Sequence, residues 1–403
     1  WQEVKLLLAL VNGKILSMAG PVYEKGMVVI EGRRIAAVSP HSEPPAGARL
    51  IDVAGKYVLP GFIDAHTHMG IYEEIYRIEG NDTNETSDPV TPHLRALDAI
   101  NMEDLAFRDA LEGGVTTVMT GPGSANVIGG LSLVMKTYGR TVDEAVVKNP
   151  AGLKVALGEN PKRVYGGQKK SPMTRMSTAA ILREALVAAH NYALKLEKGK
   201  NNPEQQPDRD LKLEALLPVI RGEIPVLLHA HRVDDILTGL RITDEFHLKV
   251  SIQHGTEAHK IPDELARRGI PVVVGPAMGN RAKVELKDRT LATPGILARS
   301  GVRVALMTDH PVVPGQYLSL LAALAVKGGM AVEDALKAIT INAAEILGVA
   351  DRVGSLEPGK DADVIVLSGH PLDWLTRVEL VIVNGEIAFA GDSFAGIRGG
   401  EER

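Results

Sequence analysis

Cysteine is absent from the 403-residue chain. Disulfides and thiolate metal sites are thereby excluded, so any metal here must be held by histidine and carboxylate. Aromatic residues make up only 4% of the chain while 45% of it is hydrophobic. The core must therefore be built from Val, Ile, Leu and Ala, a mix that suits buried parallel strands under covering helices. Apolar runs stay short of the roughly eighteen residues that cross a bilayer, so no membrane partner is expected. A strong charge of one sign is also missing: the net charge is −5 with no long basic block, which argues against nucleic acid as a partner. The chain opens WQEVKLLLALV without an initiator Met, so the native start need not lie here. LLLALV is too short and too poorly flanked for a signal peptide, and a cytoplasmic protein is expected.

What is present falls into three parts. Short strand-like runs fill residues 1–58: LLLALVNGKIL, GMVVIEG, RRIAAVSP and ARLIDVAGKYVL, separated by NG, EGR and AGK turns. The style returns in residues 353–403 with DADVIVLSG and VELVIVNGEIAFAG, where Asn384-Gly385 marks a hairpin. These two ends are expected to join into one small β-sandwich domain, with a loose tail GDSFAGIRGGEER. Between them, residues 59–352 alternate strand-like and helical runs. The strands read GFIDAH, GVTTVMT, LSLVMKTY, GLKVALG, IPVLLHAH, LKVSIQHG, IPVVVG and VRVALMTD. Eight parallel strands with helices between them close a (β/α)8 TIM barrel, the expected catalytic part. The third strand has little room for a full helix before it. KGKNNPEQQPDRD, residues 198–210, reads as an exposed loop.

The titratable residues fall at strand ends. His66 and His68 end the first, His229 and His231 the fifth, His254 the sixth and Asp309 the eighth. All six would meet at the C-terminal mouth of one barrel, where such folds build their active sites. His41, His93, His190, His247, His259 and His370 fall in loops, helices or the flanking parts and are read as background; His310 directly follows Asp309 and is either supporting or structural. Imidazole and carboxylate ligands suit Zn, Mn, Fe or Ni. A metal lowers the pKa of water to near neutrality, and a neighbouring Asp can take the second proton and return it to a leaving group.

PGFIDAHTHMG, GLKVALG, VLLHAH, SIQHG and LMTD, in this order, resemble the amidohydrolase superfamily. The lead-in IDVAGKYVLPGFIDAHTH and the closing GSLEPGKDADVIVL and VIVNGEIAFAG extend the resemblance over nearly the whole chain. Within the superfamily the sequence is most similar to the imidazolonepropionase-related branch, which includes metal-dependent dipeptidases of the prolidase type. The resemblance implies a binuclear centre, most readily of zinc. His66, His68 and Asp309 would hold the more buried ion, and His229 and His254 the second. Lys154 in GLKVALG stands where many two-metal members carry a carboxylated lysine, a CO2-derived carbamate that bridges the ions. Glu159 in GENPKR is the rival bridge. His231 is expected to contact substrate; if both Glu159 and His231 ligate, a third ion could be held.

Deaminases and imidazolonepropionase carry a carboxylate three residues after the strand-five histidine, where this chain has Arg232. That departure favours amide hydrolysis. The stretch GENPKRVYGGQKKSPMTRMS is read as a basic loop at the barrel mouth, with Arg163 and Tyr165 as candidates to bind a substrate carboxylate. The expected enzyme is a binuclear metal-dependent amidohydrolase acting on a small-molecule amide of dipeptide or N-acyl amino acid type. A metal-activated hydroxide would attack, Asp309 would shuttle the proton and His231 would polarise the carbonyl. The alternatives are a deaminase or lactone/ester hydrolase on the same scaffold, and a non-catalytic barrel used as an assembly module. A homo-oligomer is expected at this size.

Overall fold

The computed structural model describes residues 7–40, 43–75, 78–200, 202, 204 and 206–397. His41, the last residues of the tail and parts of the 198–210 excursion lie outside the described residues.

Both chain ends build one sheet of eight strands: β1 (Leu7–Ile15), β2 (Tyr23–Glu31), β3 (Arg34–Pro40), β4 (Arg49–Asp52), β5 (Tyr57–Pro60), β14 (Val364–Leu367), β15 (Val378–Val383) and β16 (Glu386–Ala390). Its order is β16-β15-β14-β5-β1-β2-β3, with β4 beside β1. The antiparallel pair β5–β14 joins the two ends, with Leu59 opposite Ile365. The expected sandwich is thus one continuous hydrogen-bonded sheet. Strand alternation decides what each of its faces covers. Val58, Val364, Val366, Leu380 and Ile382 share a core with Leu8, Leu10, Val28 and Ile30. Their neighbours Leu59, Ile365, Leu367, Val381 and Val383 belong to the large core that extends under the central part. The β15–β16 hairpin turns at Asn384 (φ 50°) and Gly385 (φ 80°), the positive pair that a type I′ turn requires. A Cβ at Gly385 would collide with the Gly32 carbonyl.

The second sheet runs in chain order: β6 (Phe62–Thr67), β7 (Val115–Thr120), β8 (Ile128–Lys136), β9 (Val146–Ala156), β10 (Val226–Ala230), β11 (Val250–His254), β12 (Val272–Val274) and β13 (Val304–Leu306). All eight expected barrel strands are present. One direction differs from expectation: β8 is antiparallel to both β7 and β9. Only residues 121–127 connect β7 to β8, whereas a parallel crossover needs a dozen or more. Ile63, Met119, Val134, Leu227, Val273 and Ala305, from six different strands, pack together as the barrel's inner core. Leu228, Ile252, Val272 and Val304 alternate with them and face the helical layer.

The barrel closes where β6 meets the segment after β13. Asp309 donates its backbone N–H to the His66 carbonyl (3.1 Å), and His68 donates to that of His310 (2.9 Å). The Asp64 carboxylate accepts from the Thr308 hydroxyl and backbone and from the His66 N–H. Burial pushes Asp64 up to about 7, against the pull of those hydrogen bonds.

A buried charge cluster ties the two sheets together. Lys136, at the end of β8, is 1% exposed and reaches Asp363 and Asp361, the latter at 3.1 Å. Asp361 also holds Arg352 at 2.8 Å. Replacing Lys136 by methionine strips Asp363 of its cationic partner. Removing one member of a buried pair costs about 3–5 kcal/mol, so K136M should lower the unfolding free energy obtained from denaturant titration by that much. A loss no larger than about 1 kcal/mol, the range of an exposed pair, would show that this cluster does not hold the sheets together.

Candidate metal centre

Strand ends aim the site residues at one another. Asp309 Oδ1 lies 3.4 Å from both His66 Nε2 and His68 Nε2. His229, His231 and His254 form a second trio, and within each trio the ligand atoms lie within 4.8 Å of one another. The trios adjoin, with the His66 and His254 rings 5.5 Å apart; within the second trio the His229 and His254 rings are 4.2 Å apart. Lys154, on β9, places Nζ 3.2 Å from His66 Nε2. Two of these residues are held in the left-handed region, His254 at φ 74° and Asp309 at φ 54°. That conformation costs of order 1–3 kcal/mol per non-glycine residue and is typical of functional sites.

Backbone acceptors fix the ring orientations. His68 Nδ1 donates to the Gly121 carbonyl at 2.7 Å, and His254 Nδ1 to that of Gly275 at 3.0 Å. Each bond leaves Nε2 as a lone pair turned inward, the arrangement of a metal-ligating histidine. His231 Nδ1 pairs with the Thr256 hydroxyl at 2.8 Å. Among the described residues, both ring nitrogens of His229 and Nε2 of His231 are buried without a hydrogen-bond partner. An orphaned buried polar atom costs about 1–3 kcal/mol, so these atoms call for a ligand.

Burial also sets the charge state. It lowers His66 to about 3, assisted by the charge of Lys154, and lowers His231 to about 3, assisted by Lys283. His229 and His254 are driven well below the ordinary imidazole range by the same cause, with neighbouring histidines adding to it. These rings are therefore neutral, the form that ligates metal. Burial pushes the Asp309 carboxyl up, but His254, His66 and His68 outweigh it and hold the group well below the carboxylate range. Burial brings the Lys154 ammonium down to about 8. Neutral imidazoles, one ionised carboxylate and orphaned ring nitrogens fit divalent cations such as Zn, Mn, Fe or Ni.

The centre opens into a cavity of about 680 Å³ lined by His68, Lys154, His229, His231, His254 and Asp309 among others. Other expected site residues stand elsewhere. Glu159 belongs to neither trio and is not on the cavity wall; it begins a helix, Glu159–Gly167, and its backbone N–H donates to Glu285 at 3.0 Å. Arg163 is exposed on that helix and does not line the cavity. Tyr165 is fully buried, and its hydroxyl donates to Asn126 at 2.6 Å. The basic stretch is thus largely helical, and Arg175 is committed to Asp235 at 2.8 and 3.1 Å. These placements do not support Arg163 and Tyr165 as substrate-binding residues. Arg232 clasps Asp234 and also stays off the cavity wall. His310 is buried with Nδ1 accepting from the Gly315 N–H, a structural position.

Sequence reasoning passed over the segment after β12. Met278, Asn280, Lys283 and Arg289 line the cavity, and Glu285 lies behind it, 3.6 Å from His231 Nε2. The signal was available, since AMGNRAKVELKDRT is a long charged stretch directly after a barrel strand.

Residues 57–394 match the amidohydrolase family. The chain belongs to that family. An amidohydrolase structure from Thermotoga maritima MSB8 superposes with a TM-score of 0.93 at 45% identity, covering 95% of this chain and 100% of that one. Amidohydrolase tasK of Hapsidospora irregularis is 30% identical over 374 residues, 86% of this chain but only 38% of that protein's length. An imidazolonepropionase from Porphyromonas gingivalis is 28% identical over 402 residues, covering 88% of this chain and 85% of that enzyme. The imidazolonepropionase branch is therefore represented among its relatives, as the sequence resemblance implied.

A bound ion should stabilise this family member measurably. Zn2+ at about 100 times its Kd adds about 2.7 kcal/mol to the folded state, so a thermal scan should show an upward shift that EDTA reverses. In H229A and H254A the shift and the metal content per chain should both fall. Metal content equal to wild type in both variants would show that the second trio is not a ligand set.

Proposed function

We propose that this protein is a two-metal hydrolase that cleaves the C–N amide bond of a dipeptide or N-acyl amino acid. The observation that carries this reading is Lys154, set in one cavity with both ligand trios. Its charge reaches His66, His229, His231 and His254, lowering all four. An ammonium there opposes any cation in the site. With its pKa at about 8, a fraction of Lys154 is the free amine at neutral pH. That amine adds to CO2 and loses a proton, which turns a repulsive cation into an anionic oxygen ligand facing both trios. Lys154, not Glu159, is therefore the proposed bridge.

His66, His68 and Asp309 would hold one ion, and His229 and His254 the other. Divalent ions so held lower the pKa of water to near neutrality and polarise a carbonyl. Asp309 keeps an ionised carboxylate beside the centre, so it takes the proton from the attacking water and delivers it to the departing amide nitrogen. His231 is neutral, oriented by the Thr256 hydroxyl, and contributes to the cavity wall where the scissile carbonyl would lie.

One observation favours a second reading, a deaminase. Glu285 provides a buried carboxylate beside His231, a type of group that Arg232 does not supply. A hydrolysis screen of metal-reconstituted protein over dipeptides, N-acyl amino acids, lactams, lactones and nucleobases separates the two. Amine release from the first two classes is expected; ammonia release from nucleobases with no amide cleavage would select the deaminase.

General acid–base groups contribute about 10²–10⁴-fold. D309N should accordingly lose that much kcat toward the best amide substrate while still binding metal. Turnover within a few-fold of wild type would remove Asp309 as the proton carrier.

A further inference from the structure

The segment after β12 carries a cation that the metal centre does not explain. Its arginines are committed to backbone. Arg281 donates to the carbonyls of Lys287 (3.0 Å) and Arg289 (3.3 Å), and Arg289 donates to those of Met278 and Gly279. These bonds clasp the loop into a fixed shape, and Glu285 ties it to the start of the helix Glu159–Gly167 by accepting the Glu159 N–H. Lys283 is different. Among the described residues its ammonium has one ionic neighbour, Glu285 Oε1 at 3.6 Å, beyond hydrogen-bond length. Lys283 lines the same cavity as the metal centre, and its side chain remains 27% exposed.

An ammonium beside a site for divalent cations is electrostatically unfavourable unless an anion stands between them. Glu285 supplies only part of that compensation, since its other oxygen is engaged by Glu159. The remaining cations on the cavity wall are accounted for: Lys154 belongs to the centre and Arg289 to the loop clasp. The lining of the same cavity also includes the aliphatic residues Leu291, Pro294, Leu306, Leu321 and Ala325. The volume of about 680 Å³ lies within the range of small-molecule sites.

We propose that Lys283 is the anchor for the α-carboxylate of the substrate, and that the aliphatic wall receives the side chain of the same residue. The substrate class is then an N-acyl derivative, including a dipeptide, of an aliphatic amino acid. This rests on the amide-hydrolase reading for the reaction, while the anchor itself is testable by binding.

The test uses metal-loaded wild type, K283M and K283R. Cleavage of N-acetyl-L-leucine is compared with that of N-acetylisoamylamine, which has the same skeleton without the carboxylate. In parallel, calorimetry measures binding of 4-methylpentanoate, with 4-methylpentanol as the neutral control. A charge-assisted hydrogen bond corresponds to about 10–100-fold in affinity. K283M should lose that much preference for the acid, chiefly through KM, and bind 4-methylpentanoate correspondingly more weakly. K283R should retain most of both. Undiminished 4-methylpentanoate binding and acid preference in K283M would overturn the anchor while leaving amide hydrolysis intact. Weakened binding in K283M, with no amide cleaved by wild type, would uphold the anchor and overturn the reaction.

Discussion

The structure depends on keeping four imidazoles, those of His66, His229, His231 and His254, uncharged in a small buried volume. His66, His68, His229, His231 and His254 lie within a few ångströms of one another and of Asp309, and Lys154 adds a cationic group to the same space. Protonated rings at these distances would repel strongly, so burial, which favours the neutral form, is what lets them coexist. The cost is a set of ring nitrogens with no partner inside the protein. A divalent cation relieves part of that cost, so ligand readiness and structural frustration are here closely linked.

Much of the scaffold exists to hold this arrangement. Asp64 fastens Thr308 across the seam, which places Asp309 opposite His66 and His68. Carbonyls of Gly121 and Gly275, each just past the end of a barrel strand, set the tautomers of His68 and His254. Further out, the clasped loop after β12 brings Lys283 to the cavity, balancing the positive centre with a place for negative charge. The terminal sheet and its Lys136 cluster brace the barrel from outside.

Several of these features could be read from residues alone. Apolar runs mark the barrel strands, three of them ending in histidine, and the period-two pattern of VIVL and VELVIV marks the flanking sheet. The direction of β8 was missed because a run buried on both faces looks alike in either orientation; only the length of its connection told otherwise. The helix Glu159–Gly167 is masked in the sequence by a proline near its start and two glycines at its end, although proline is tolerated in a first turn. Position along the chain does not reveal that the Tyr165 hydroxyl has an internal partner in Asn126, which removes it from the cavity. Lys283 was overlooked because nothing periodic distinguishes it; its isolation emerges only once Arg281 and Arg289 are seen to be occupied.

The central claim is that two ions and amide cleavage belong together in this cavity. It is tested most directly by stripping the protein of metal, titrating Zn2+ back in the presence of bicarbonate, and following ions bound per chain alongside amine release from an N-acyl amino acid. The account predicts that amine release saturates as the second ion binds. Saturation at one ion per chain, or two bound ions with no amide cleaved, would contradict it.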